Sequence, residues 1–211
     1  MSRVALIDYG SGNLRSAEKA LVRAADGTSE IIVTNDPDAV ARADRIVLPG
    51  VGAFAACMGA LQARSGLVEA MTEAVQTRGA PFLGVCVGMQ LMASKGLEFG
   101  ETAGLGWIPG EVRKLEPADA AAKVPHMGWN ALTEVSANPI VSDLKNGQAV
   151  YFTHSFAFFP DDPAHVAAFV DHGGRFPAAV ARGNMAGVQF HPEKSQSSGL
   201  NLLARFLEWR P

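Results

Sequence analysis

At 211 residues, with 48% hydrophobic side chains and a formal net charge of −3, the chain has the make-up of one globular domain with a full core. No basic run or acidic tail marks it for nucleic acid, and no apolar stretch approaches a membrane span. Two cysteines, Cys57 and Cys86, give no disulfide framework, and the N-terminus lacks signal-peptide organisation, so a reducing cytoplasm is the expected home.

The apolar run at 4–7 reads as a strand. It leads into the turn Asp8-Tyr9-Gly10-Ser11-Gly12-Asn13 and then a helix with Leu14, Ala17 and Leu21 on one face. Strand, glycine-rich turn and helix open a parallel α/β sheet. The turn also carries part of a dinucleotide fingerprint, with Asp36 after the next strand. Arg15 stands where its third glycine belongs, which argues against a nucleotide. Strands are expected at 31–33, followed by a short helix from Asp36-Pro37-Asp38, and at 46–48, running into Pro49-Gly50-Val51-Gly52. That last turn is bare of side chains. At the carboxyl end of a sheet strand, its amides can approach a substrate. Helices are expected at about 54–63, with Cys57 in the core, and through Leu67, Ala70, Met71, Ala74 and Val75.

Residues 80–83 read as a buried strand, and Leu91, Met92 and Ala93 extend an apolar pattern long enough for a helix. Between them lies Gly84-Val85-Cys86-Val87-Gly88-Met89-Gln90. A cysteine at a strand-to-helix turn, with glycines two before and two after, is the thiol counterpart of the nucleophile elbow. So sharp a turn brings the flanking backbone too close to its neighbours for a Cβ. The helix start favours the thiolate, and the Val87 amide can donate to a developing oxyanion. Taken alone, the same pattern also suits a buried structural cysteine.

Residues 96–117 contain five glycines and two prolines and read as loops with short strands. In Val124-Pro125-His126-Met127-Gly128-Trp129-Asn130, Met127 and Trp129 sit in a turn, either as its core or as an exposed anchor for a partner. Residues 149–159 form one β-prone run, and strands at 166–170 and 178–181 are spaced for antiparallel pairing. The last strand, 187–190, runs into His191-Pro192-Glu193. Pro192 is expected to hold this segment extended, so that His191 and Glu193 point to one side and the carboxylate fixes the imidazole tautomer. Nucleophile, base and orienter are the parts of covalent acyl transfer. A final helix is expected to bury Leu200, Leu203, Ala204 and Leu207. There is no HExxH, paired CxxC or GxxxxGK[ST], and no metal is expected.

The elbow, together with Gly187-Val188-Gln189-Phe190-His191-Pro192-Glu193, resembles the triad-type (class I) glutamine amidotransferases. Asp8-Tyr9-Gly10-Ser11-Gly12-Asn13-Leu14, Leu48-Pro49-Gly50-Val51-Gly52-Ala53-Phe54, Pro125-His126-Met127-Gly128-Trp129-Asn130 and His191-Pro192-Glu193-Lys194-Ser195 extend the resemblance over essentially the whole chain. These blocks are similar to the branch of that family that serves histidine biosynthesis. The resemblance implies a single α/β domain over 1–211 of flavodoxin-like type. Its central, mostly parallel sheet would be flanked by helices and carry an antiparallel C-terminal part. It also implies Cys86 as nucleophile, His191 as base and Glu193 as its orienter, with the amides of Val51 and Val87 forming the oxyanion hole. Gln90 and Glu98 would hold the glutamine head group, and Gly52, Ser155 and Phe156 would supply backbone contacts. Val87, Thr153 and Phe156 stand where leucine, valine and tyrosine are common, and the last change removes a hydroxyl.

The reaction so implied is hydrolysis of glutamine to glutamate and ammonia through a γ-glutamyl thioester, with no cofactor. The implied consumer is a (β/α)8-barrel cyclase subunit, paired as a heterodimer, which makes imidazole glycerol phosphate and an aminoimidazole carboxamide ribotide. Asn13, His126, Met127, Trp129, Asn130 and Lys194 are expected at the face toward that partner. A glutaminase of a different synthase, a stand-alone cysteine hydrolase and a binding module that keeps the elbow only as structure are the alternatives.

Overall fold

The computed structural model describes residues 1–10 and 12–211, so Ser11 of the first glycine-rich turn lies outside the described residues. In the first half of the chain, each strand runs into a helix. β1 (Ser2–Ile7) leads to α1 (Leu14–Ala25), and β2 (Ser29–Thr34) to α2 (Pro37–Ala41). β3 (Arg45–Gly50) leads to α3 (Phe54–Gln62) and α4 (Leu67–Thr72), with a π-helical turn at Glu73–Thr77 continuing α4. β4 (Phe82–Cys86) leads to α5 (Val87–Gln90). The start of α2 follows from its sequence. Asp36 accepts the Asp38 N–H at 3.0 Å, and Pro37 takes the first helical position, where no N–H is needed. Val4, Leu6, Ile46, Leu48, Phe82 and Leu83 are all fully buried, as strands covered by helices on both faces require.

The second half is mostly β. It comprises β5 (Lys95–Gly96), β6 (Thr102–Ala103), β7 (Gly110–Lys114), β8 (His126–Thr133), β9 (Ala149–His154), β10 (Phe156–Pro160), β11 (Val166–Asp171), β12 (Arg175–Arg182) and β13 (Met185–Val188), before α6 (Gln196–Glu208). The main sheet has nine strands in the order β2-β1-β3-β4-β13-β12-β11-β8-β9. The first five run parallel in the flavodoxin-like order, and the remaining four join antiparallel. A second sheet of four strands, β10-β7-β5-β6, was not legible in the sequence.

Five local expectations are corrected. The elbow helix is one turn long. Past Gln90 the carbonyls of Leu91, Met92 and Ala93 accept the N–H groups of Leu105, Trp107 and Gly106 at 2.8–2.9 Å, so a distant loop captures the acceptors a longer helix would need. The β-prone run at 149–159 breaks at Ser155, because β9 pairs with β8 in the large sheet whereas β10 pairs with β7 in the small one. Met127 and Trp129 lie on a strand, with Trp129 opposite Tyr151, and not in a turn. The last sheet strand ends at Val188. Finally, α6 buries Ser198, Gly199, Leu202, Leu203, Phe206 and Leu207, a stripe rotated from the expected one. Its close approach to the preceding turn sets the rotation, since a Cβ on Gly199 would lie 1.9 Å from the Pro192 carbonyl oxygen.

Candidate active site

The carboxyl ends of the parallel strands converge on one cavity of about 410 Å³. Asn13 reaches it from beyond β1, Val51 and Gly52 from beyond β3, Cys86 and Val87 from the end of β4, and His191 and Lys194 from beyond β13. Gln90, Glu98, Ser155 and Phe156 line it as well. Open α/β sheets bind ligands in this place.

Cys86 takes φ 54° and ψ −113°, a backbone conformation that a non-glycine residue adopts only when its surroundings impose it. The flanking glycines supply that constraint. A Cβ on Gly84 would lie 2.6 Å from the Gly88 carbonyl oxygen, and one on Gly88 would lie 1.8 Å from that of Leu48. Beneath the next turn, Tyr9 is buried and its hydroxyl donates to the Pro49 carbonyl at 2.8 Å, pinning the Gly50-Val51 turn.

His191 and Glu193 do not sit in an extended segment. Pro192 begins a 3-10 turn, Pro192–Lys194, in which Lys194 N–H donates to the His191 carbonyl at 3.0 Å. The two side chains still meet. His191 Nδ1 lies 2.8 Å from Glu193 Oε1, and the side chains are 2% and 4% exposed. Asn13 Nδ2 donates to the same carboxylate oxygen. The His191 backbone is held by its N–H to the Tyr151 carbonyl at 2.9 Å and by Ser195 Oγ on its own carbonyl at 2.7 Å. With Nδ1–H on the carboxylate, Nε2 is the nitrogen left to exchange a proton with the thiol. It is buried and makes no hydrogen bond of good geometry. Desolvation pulls the His191 pKa down, but hydrogen bonding to Cys86 and Glu193 and their negative charges outweigh it and raise it to about 9. Cys86 and His191 line the same cavity, and the unpartnered Nε2 is a common state before substrate binds.

The opposite wall is a chain of hydrogen bonds with defined direction. Asn130 Nδ2 lies 3.1 Å from His126 Nε2, His126 Nδ1 lies 3.0 Å from His154 Nε2, and His154 Nδ1 lies 2.9 Å from the Phe156 carbonyl. A carbonyl only accepts, so His154 carries its proton on Nδ1, His126 must do the same, and Asn130 donates. Both imidazoles are neutral. Burial, and secondarily the His172 ring, lowers the His126 pKa to about 4. Burial lowers that of His154 to about 3, against a smaller raising effect of its bond to Phe156. Gln90 Nε2 also donates to the Phe156 carbonyl, at 3.0 Å. The Ser155 carbonyl is taken by Leu115 N–H at 2.9 Å. Both carbonyls of this turn are thus already engaged by protein donors, which leaves its N–H groups suited to a carboxylate. Glu98 uses one oxygen to accept Phe54 N–H at 2.8 Å, leaving the other for a cation.

Of the residues expected at a partner face, Met127 and Trp129 are 64% and 49% exposed on β8, and Lys194 is exposed at the cavity rim. His126 is turned inward, 3% exposed, and the half-buried Asn130 also bonds the Asp171 carbonyl, so both take part in the network. Asn13 is half-buried against Glu193. The sequence reading missed Tyr9, His154 and Gln189 as parts of the site. Tyr9 and Gln189 stood inside motifs quoted for other residues, and that position was the only signal. Among the described residues, no group of three or more His, Cys, Asp or Glu side chains is placed to hold a metal ion. Among the same residues, no helix is long and apolar enough to cross a membrane.

A thiol on a strained elbow, facing a carboxylate-oriented imidazole across a flavodoxin-like sheet, can form and hydrolyse a thioester. The profile of the glutamine amidotransferase class-I family matches residues 5–209, and the chain belongs to that class. A solved structure described as a glutamine amidotransferase shares the fold, with a TM-score of 0.71 over 97% of each chain at 17% identity. A relative from Caulobacter vibrioides is 59% identical over 100% of both chains, and one from Rhodospirillum rubrum is 55% identical over 99% of this chain and 100% of its own. Both are named imidazole glycerol phosphate synthase subunit HisH, and that is the family of this chain.

Proposed function

We propose that the chain, acting as one domain over 1–211, is the glutaminase subunit of imidazole glycerol phosphate synthase in histidine biosynthesis. In this reading the Cys86 thiol gives its proton to His191 Nε2, and the thiolate adds to the carboxamide carbon of glutamine. The oxyanion so formed takes hydrogen bonds from the Val51 and Val87 amides. The intermediate collapses, the C–N bond breaks, and ammonia leaves with the proton from His191. Water, deprotonated by the same nitrogen, then cleaves the thioester to glutamate. Glu98 and Gln90 take the α-ammonium end of the substrate, and the donors of Gly52, Ser155 and Phe156 take the α-carboxylate. The observation that carries the reading is the convergence of Cys86, the His191–Glu193 pair and Glu98 on one cavity. No disulfide joins Cys57 to Cys86, which fits a reducing cytoplasm.

An electrophilic glutamine analogue is expected to label Cys86 and to spare Cys57, as read by intact mass and peptide mapping. Cys57 is buried, and its thiol donates to the Val51 carbonyl at 3.3 Å. Label found at Cys57 alone would end the assignment.

The partner in this reading is the (β/α)8-barrel cyclase subunit, docked as a heterodimer over the cavity mouth, so that ammonia passes between sites without being protonated in bulk water. Met127 and Trp129 project from β8, while Lys194 stands at the rim. Trp129→Ala is expected to weaken cyclase binding more than tenfold, since a buried aromatic anchor is worth about 2 kcal/mol or more. Lys194→Ala is expected to lower ammonia transfer, and neither change should affect Cys86 labelling. Titration calorimetry with coupled assays reads both effects. Unchanged affinity and coupling in the two variants would move the interface elsewhere.

A further inference from the structure

The mechanism above gives the sulfur one neighbour, His191, but a second polar side chain touches it. Gln189 is 0% exposed and its Nε2 lies 3.6 Å from Cys86 Sγ. We propose that Gln189 is a positioning residue that donates an amide N–H to the Cys86 thiolate, with its orientation dictated by Gln90. The proposal rests on the reading of Cys86 as the nucleophile.

The orientation argument starts from a fixed acceptor. The Phe156 carbonyl receives Gln90 Nε2 at 3.0 Å, so the nitrogen end of Gln90 is settled. The same nitrogen lies 3.0 Å from Gln189 Oε1 and donates its second proton there. Gln189 must then turn its oxygen toward Gln90 and its nitrogen toward the sulfur. Turning either amide over would set two oxygens or two N–H groups face to face. The backbone agrees, since Gln189 N–H donates to the Ala178 carbonyl at 2.8 Å and holds the residue against β12. One short segment after β13 thus delivers both the base, His191, and a neutral donor to the same sulfur.

A neutral amide suits the task. It favours the thiolate over the thiol once the proton has moved to His191. It also lets the sulfur lose its charge as the bond to carbon forms, with less penalty than a cation would impose.

The test is the pH dependence of Cys86 alkylation by iodoacetamide in the full-length chain, followed site by site by mass. Gln189→Met keeps the volume and removes the donor. Gln189→Glu keeps the shape and Gln90's acceptor, so it serves if Gln189→Met fails to fold. The midpoint of the alkylation profile is expected to rise by about one pH unit in Gln189→Met and further in Gln189→Glu. In the complex with the cyclase, kcat for glutamine is expected to fall about tenfold in Gln189→Met with KM changed less than threefold. A packing role alone would lower the melting temperature and leave the midpoint in place. Unchanged midpoints in folded variants, or a change in KM alone, would overturn the proposal. If the wild-type chain takes a glutamine analogue at Cys57 and not at Cys86, the assignment of the nucleophile fails, and that result is distinct from an unshifted profile.

Discussion

Replacing His191 with alanine is expected to abolish glutamine-dependent turnover, a loss of about ten-thousandfold or more by analogy with other nucleophile–base pairs. No other described side chain is placed to take the thiol proton. His126 and His154 are neutral with their protons committed to each other and to the Phe156 carbonyl, and Gln189 has no basic nitrogen. The loss should fall on kcat, because His191 serves the transition state more than it binds glutamine. Glu193→Gln should cost less. An amide oxygen at that position can still accept both His191 Nδ1–H and Asn13 Nδ2–H, so the tautomer survives while the charge is lost. Synthesis from added ammonia by the assembled complex should continue in both variants, since that route bypasses the thioester. The comparison of glutamine-driven with ammonia-driven product formation is the measurement. Near-normal glutaminase activity in His191→Ala would refute the triad.

Gly88→Ala is expected to cost about 3 kcal/mol or more in stability, or to prevent soluble expression altogether. The new Cβ would sit 1.8 Å from the Leu48 carbonyl oxygen and 2.8 Å from its carbon, and both are backbone atoms of a central strand. Relief requires β3 to part from β4 or the elbow to flatten, and either change moves Cys86. Gly59→Ala, within α3, is the matched control because nothing lies within 4 Å of its Cβ. There the helix should gain a few tenths to about 1 kcal/mol from better propensity. Urea unfolding of the two variants reads the difference. Wild-type stability in Gly88→Ala would mean that the elbow has slack the distances do not allow.

Much of the site was legible from local chemistry. Glycines flanking Cys86 announce a turn too tight for side chains, and a histidine two residues before a carboxylate announces an oriented base. Even so, the reason given for the second was wrong. The segment is a 3-10 turn, and the His191–Glu193 contact survives because Tyr151 and Ser195 pin the His191 backbone from outside. Asn13 shows what local reading leaves out: expected at a partner face from its position after a glycine-rich turn, it also donates its amide to the triad carboxylate from 180 residues away in sequence.

The sequence by itself determined what depends on neighbours along the chain. This covers the parallel strands as apolar runs, the capped start of α2, the elbow and its glycines, and the antiparallel character of the C-terminal strands. Tertiary structure alone decided what depends on partners distant in sequence. The elbow helix stops after one turn because residues 105–107 take its carbonyls, and the run at 149–159 is cut in two because its halves pair with β8 and β7 in different sheets. His126 faces inward because its one N–H is matched by His154 and its one lone pair by Asn130. Local propensity states that a residue favours a strand or a turn. It carries no term for which distant donor will meet an acceptor, and in this protein those long-range pairings set the walls of the cavity around Cys86.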